Sequence, residues 1–312
     1  MSGAALFVQK ITRTFGKLKA CDEVSFEVQP GEICGFIGPN GAGKTTTMRI
    51  ISTLDLPDEG NVFVEGLSVL EEPREVRRRL GFMPDSYGAY ANMTIHDYLD
   101  FFARSYELKG DARRKTLAHV MEFTSLEPLQ HKEITSLSKG MKQRLCLAKT
   151  LLHDPSILIL DEPAAGLDPR ARVELRELVR ALADMGKAVL ISSHILTELS
   201  EMCDAVAVIE SGKICGTGTV DSIMRQLKPH AQIFLKALSD GDTTQRVLLE
   251  QPFVSDVRHE RGGFVFEFEG DAEARGKLLA KLVESGITPV EFAPEEADLE
   301  DIFLTLTEGK LQ

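Results

Sequence analysis

The sequence predicts an α/β fold built on a parallel sheet, with an antiparallel flank before it, a helical insert within it and a small α+β domain after it. Three observations carry this. An apolar run, Ile33 to Ile37, is followed at once by Gly38-Pro39-Asn40-Gly41-Ala42-Gly43-Lys44-Thr45-Thr46. Two later apolar runs, Ser156 to Leu160 and Ala188 to Ser192, end in Asp161-Glu162 and Ser193-His194. Buried parallel strands read as continuous apolar runs, and such sheets present ligand-facing groups at their carboxyl ends. Past Pro229 the pattern changes to short elements in the order β-α-β-β-α-β, that of a ferredoxin-like domain.

Leu6 to Phe15 and Val24 to Val28 have strand composition and are separated by turn-prone residues around Gly16 and Cys21, which gives the flank. Phe15 sits shortly before the glycine-rich stretch. By itself it reads as a core aromatic, with stacking on a purine ring as the alternative. The stretch Gly38 to Thr46 fits G-x-x-x-x-G-K-[ST]. Its glycines let backbone N–H groups turn around a polyphosphate, the following helix points its positive dipole end there, Lys44 reaches the β/γ-phosphates and the Thr45 hydroxyl ligates Mg²⁺. A glycine-rich turn that merely carries a lysine is the alternative.

A helix over Lys44 to Leu54 and a turn at Pro57 to Gly60 lead to a strand at Asn61 to Val64. Glu72 to Arg79 reads as a charged, solvated helix, and Leu80 to Asp85 as a strand ending at a proline, so Asp85 lies at a strand exit. Ile95, Tyr98, Leu99, Phe102 and Tyr106 recur at helical spacing, and Asp111 to Phe123 forms a second helix after Gly110. This insert spans about residues 86–140. Its aromatic stripe reads as core, though an all-helical insert can also dock a partner.

Ser136 to Met141 is a turn opening a helix to about Leu152. Its serines suit either a second phosphate contact or a plain N-cap. Asp161 and Glu162, at the end of an apolar strand, have the residue types for holding Mg²⁺ through water and for orienting or deprotonating an attacking water. Gly166 to Pro169 starts another helix, Arg170 to Met185. His194 is at a strand exit, where a neutral imidazole can meet a γ-phosphate oxygen, although a lone histidine is more often structural. Ala205 to Ile209 and Lys213 to Gly216 form a hairpin closing the first domain.

Composition narrows the class. The chain has 312 residues, 43% of them hydrophobic, enough for one large domain over residues 1–228 and a smaller one over 229–312. With 36 basic against 48 acidic residues the net charge is −12, so a broad nucleic-acid surface is not expected. Five scattered cysteines suggest neither disulfides nor zinc and fit a reducing cytosol. No stretch approaches the roughly 18–20 apolar residues that cross a bilayer, and the N-terminus lacks a signal-peptide layout.

With these motifs in order over about residues 5–225, the sequence resembles the nucleotide-binding subunit of an ABC transporter. The resemblance implies a P-loop ATPase that uses ATP and Mg²⁺. It also implies that Leu137-Ser138-Lys139-Gly140-Met141 is the signature motif, with Ser138 and Gly140 contacting the γ-phosphate on the P-loop of a second copy or related subunit in a head-to-tail dimer. Phe15 becomes the adenine-stacking aromatic, Asp168 the residue of the loop coupling the two sites, and His194 the switch histidine.

Two departures stand out. The usual LSGGQ is LSKGM here, a form resembling the drug and ABC-2 type exporter subfamily, and the glutamine expected after Met83-Pro84 is Asp85. The latter suggests a metal-contacting carboxylate that slows hydrolysis. The implied partner is a transmembrane permease on a separate chain, reached through the insert, which would hold the subunit on the cytoplasmic membrane face. The ending Asp298 to Phe303 resembles extensions of that subfamily, with dimerisation, regulation or a passive cap as its role. An ABC-type ATPase without a permease, in translation or DNA maintenance, and a regulatory ATP-binding module with little turnover are the alternatives.

Overall fold

The computed structural model describes residues 3–85, 92–193, 202–219, 222 and 231–294. The chain divides into two compact units, Met1–Val220 and Asp221–Gln312. Residues 223–230, where the sequence places the boundary, and 298–303 lie outside the described residues.

The first unit contains two sheets. Strands β1 (Leu6–Phe15), β2 (Leu18–Val28), β4 (Glu59–Val64) and β5 (Leu67–Ser68) form the antiparallel flank in the order β2-β1-β4-β5. The turn expected over residues 16–21 is confined to Gly16 and Lys17. Cys21 is fully buried within β2, where its Sγ lies 3.3 Å from the Thr47 hydroxyl. The β1–β2 pairing shifts register three times between Val8 and Thr14, which breaks the period-2 pattern that would have marked the longer strand.

The main sheet has six strands in the order β10-β9-β3-β8-β7-β6. These are β3 (Ile33–Ile37), β6 (Leu80–Met83), β7 (Ile157–Leu160), β8 (Ala188–Ser193), β9 (Ala205–Glu210) and β10 (Lys213–Thr219). All pairs are parallel except the β9–β10 hairpin. Strands β3, β7 and β8 are buried at every position, which explains their unbroken apolar sequence. Between the sheets Phe26 and Phe36 stack at 5.1 Å, and Met48, Ile50 and Ile51 of α1 (Lys44–Ile51) join that core with no exposure. Removing so fully buried a ring as in Phe36→Ala costs about 3–5 kcal/mol.

The other α-helices of the unit among the described residues are α2 (Pro73–Arg79), α3 (Ile95–Ser105), α4 (Gly110–Phe123), α5 (Lys139–Leu151) and α6 (Pro169–Asp184). α2 is not solvated all round, because Val76 is fully buried. A capping box starts α3: the Thr94 hydroxyl accepts the Asp97 N–H, and Asp97 accepts the Thr94 N–H. Its buried stripe is Ile95, Tyr98, Leu99 and Ala103. Tyr106 is 41% exposed and stacks instead on His153 at 4.3 Å. No helix among the described residues is long and apolar enough to cross a membrane.

In the second unit β11 (Ala231–Ala237), β12 (Val254–Glu260), β13 (Gly263–Phe268) and β14 (Pro289–Pro294) form an antiparallel sheet in the order β12-β13-β11-β14. Helices α7 (Gly241–Leu249) and α8 (Ala272–Glu284) complete the expected ferredoxin-like β-α-β-β-α-β order. Ile233, Leu235, Phe264, Phe266 and Phe268 pack with Leu248, Leu278 and Leu282 as a separate core.

Candidate functional site

The carboxyl ends of β3, β8, β7 and β6 emerge side by side on one sheet edge, because these parallel strands are consecutive neighbours with Ile37 opposite Ser193, Leu160 opposite Ile191 and Met83 opposite Leu160. Gly38 and Asp161 follow directly, Asp85 follows after Pro84, and that register puts all three at the same end of the sheet.

Residues 38–43 form the loop between β3 and α1. A side chain at Gly38 would collide with the Ile209 carbonyl oxygen, and one at Gly43, where φ is 107°, with that of Ala20. Close backbone approach thus requires glycine at both positions. Ala42 is buried, while Asn40 and Gly41 are exposed at the tip. The buried Lys44 ammonium folds back into the loop, donating to the carbonyls of Gly38 at 2.7 Å and Pro39 at 3.1 Å, and lies 3.9 Å from Glu162 Oε1. Burial pulls its pKa down, against the carboxylates of Glu162 and Asp161. Thr45 is exposed and Thr46 half-buried at the start of α1.

Asp161 is 1% exposed. Its Oδ1 accepts the Ser192 hydroxyl at 2.7 Å, and Ser192 Oγ in turn accepts the Glu162 N–H at 2.9 Å. Burial raises the Asp161 pKa, hydrogen bonds from Ser192 and Thr45 oppose this, and the nearby charges of Asp85 and Glu162 add to the rise. Asp161 Oδ2 is buried without a hydrogen-bond partner. Such an atom is costly unless something binds it. An orphaned carboxylate oxygen beside a threonine hydroxyl, with a second carboxylate nearby, fits a hard cation such as Mg²⁺, which takes one or two carboxylates and completes its sphere from phosphate and water.

Glu162 has φ 47°, left-handed backbone that a non-glycine residue adopts only under constraint. The Ser192 bond and the Ala165 N–H to Glu162 carbonyl bond supply that constraint. Sequence reasoning missed Ser192. Its signal is a serine ending an otherwise apolar strand beside the acid-bearing one.

Ser138 caps α5, accepting the Met141 N–H at 3.3 Å, and Asp168 caps α6, accepting the Ala171 N–H at 3.0 Å. α5 packs on β6, α3, α4 and α6, whereas α1 packs on β2. Ser138 and Gly140 therefore stand in a different neighbourhood from the P-loop of their own chain. Phe15 is 46% exposed with the Arg13 guanidinium 4.8 Å from its ring centre, so it is not the core aromatic that its position alone suggests. His194 lies outside the described residues.

A glycine-built phosphate loop, a buried lysine and an acid pair at the end of β7, one strand beyond the neighbour of β3, define a P-loop ATPase. The ABC transporter family pattern matches residues 21–165. Over 96% of both chains the sequence is 34% identical to the bacitracin transport ATP-binding protein BcrA of Bacillus licheniformis. Over the full length of both it is 33% identical to the Nod factor export ATP-binding protein I of Burkholderia orbicola (strain AU 1054). A solved structure described as the ATP binding subunit of an ABC transporter superposes with a TM-score of 0.65 at 31% identity, covering 71% of this chain and 92% of that one. The chain belongs to the ABC transporter family, as an ATP-binding, ATP-hydrolysing subunit coupled to transport.

Proposed function

We propose that this subunit drives a separate transmembrane permease in an export system, closing on ATP with a second copy or related subunit and separating after hydrolysis. The observation that carries the catalytic half is the hydrogen-bonded chain Asp161–Ser192–Glu162 facing Lys44. Lys44 and the loop N–H groups bind the polyphosphate, Asp161 and Thr45 hold Mg²⁺, and Glu162 orients and deprotonates the attacking water. Mg²⁺ supplies charge neutralisation at the phosphoryl oxygens. Asp85 adds a carboxylate to the metal side, Phe15 stacks on adenine, and His194 meets the γ-phosphate. Ser138 and Gly140 complete the phosphate pocket of the opposing copy.

Support for export comes from the name of the Nod factor export relative and from the LSKGM form of residues 137–141. Attachment to the cytoplasmic face through the helical insert follows from the permease reading. The test is purification of the tagged chain from detergent-solubilised membranes. The expected result is a stoichiometric integral membrane polypeptide whose presence stimulates ATP turnover. Recovery of the chain alone, with turnover unaltered by the membrane fraction, contradicts the permease.

A further inference from the structure

We infer that Lys139 is a positioning residue for hydrolysis, locking the head of α5 onto the loop that leaves Glu162. This rests on the role given to Glu162 above. The loop runs from the left-handed Glu162 to Asp168, the N-cap of α6. Two adjacent residues of α5 lie against it. At Gly140 a Cβ would come within 2.9 Å of the Ala171 Cβ and 4.0 Å of Leu167 Cδ2, so the bare backbone lies directly on the first turn of α6 and on the buried Leu167. At Lys139 the ammonium stands in the space that a side chain on residue 166 would fill, and Gly166 itself has φ 65°. The left-handed conformation favours glycine there, and the exposed ammonium at the end of its flexible stem lies over it.

The charge does not serve the helix. A cation in the first turn of α5 faces the positive end of the helix dipole, the unfavourable end for a lysine, and that turn carries no acidic residue. Lying instead over the 162–168 loop, the Lys139 side chain ties movement at the head of α5 to the backbone that begins at Glu162. A phosphate drawn to the head of α5 would thereby set the carboxylate that acts on water.

The test uses the full chain and compares Lys139→Met, which keeps the stem, with Lys139→Arg, which keeps the charge. Steady-state ATP turnover, ATP affinity by calorimetry and hydrogen exchange of the peptide over residues 163–168 are measured for each. Lys139→Met is expected to lower kcat roughly three- to tenfold with KM within about twofold, since small misplacement acts on the chemical step, and to speed exchange over 163–168. Lys139→Arg is expected to restore both. Unchanged kcat and exchange in Lys139→Met would overturn the inference, as would weakened ATP binding with unchanged exchange, which would make Lys139 a phosphate-binding charge. The exchange readout is independent of the Glu162 assignment, which fails separately if Glu162→Gln keeps full turnover.

Discussion

Ser192 Oγ donates to Asp161 Oδ1 at 2.7 Å and takes the Glu162 N–H at 2.9 Å, so one hydroxyl on β8 fixes both acids at the end of β7. Ser192→Ala leaves a buried carboxylate oxygen and a strained residue's N–H without this partner. The expected cost is about 1–3 kcal/mol of stability, with roughly tenfold or greater loss of kcat. Denaturant melts and steady-state kinetics measure the two effects. Full stability and full turnover would show that the hydroxyl positions nothing.

Asp85 is exposed at the exit of β6, and its charge contributes to raising the Asp161 pKa. Asp85→Gln removes a negative charge from near Asp161. Turnover at saturating Mg²⁺ is expected to rise, while half-saturation shifts to higher Mg²⁺. Superimposable Mg²⁺ titrations of the two proteins would remove Asp85 from the metal site.

Gly43 combines φ 107° with a backbone approach that leaves no room for a Cβ against the Ala20 carbonyl. Gly43→Ala is expected to cost about 1–3 kcal/mol from backbone strain alone and to abolish ATP binding, because the loop N–H groups lose their aim. Calorimetric titration with ATP checks the second effect. Native affinity would mean that the loop tolerates another conformation.

His153 carries a pH dependence of known sign. Burial lowers its pKa from 6.5, against the Leu80 carbonyl 3.1 Å from Nε2 and the Asp154 charge, with Lys187 adding to the fall. A histidine depressed in the folded state stays neutral while the unfolded chain takes up a proton, so stability falls as pH drops below 6.5 and levels off below the folded-state pKa. The melting temperature is expected to decline over that window, and less steeply in His153→Gln. Equal slopes would remove His153 as the source.

The parallel core was legible because its buried strands are unbroken apolar runs. The P-loop and Asp161-Glu162 were legible because their chemistry depends on residues adjacent in sequence. What was not legible depends on contacts far apart in the chain. Ser192 meets its partners 30 and 31 residues away, and the Lys139 side chain lies over Gly166, 27 positions on. Cys21 reads as part of a turn because register shifts hide the periodicity of β2, and the position of Phe15 alone suggests the core because its exposure depends on where β1 ends, the adenine-stacking role coming from the resemblance.

In the proposed function Glu162 activates water on an ATP held by residues 38–46. The most direct test of that role is ATP turnover and oligomeric state of Glu162→Gln beside the native chain, by phosphate release and light scattering in ATP with Mg²⁺. Turnover is expected to fall roughly 10²-fold or more, as for loss of a general base, with accumulation of an ATP-bound dimer. Native turnover in Glu162→Gln, with no ATP-dependent change of mass, would contradict that role.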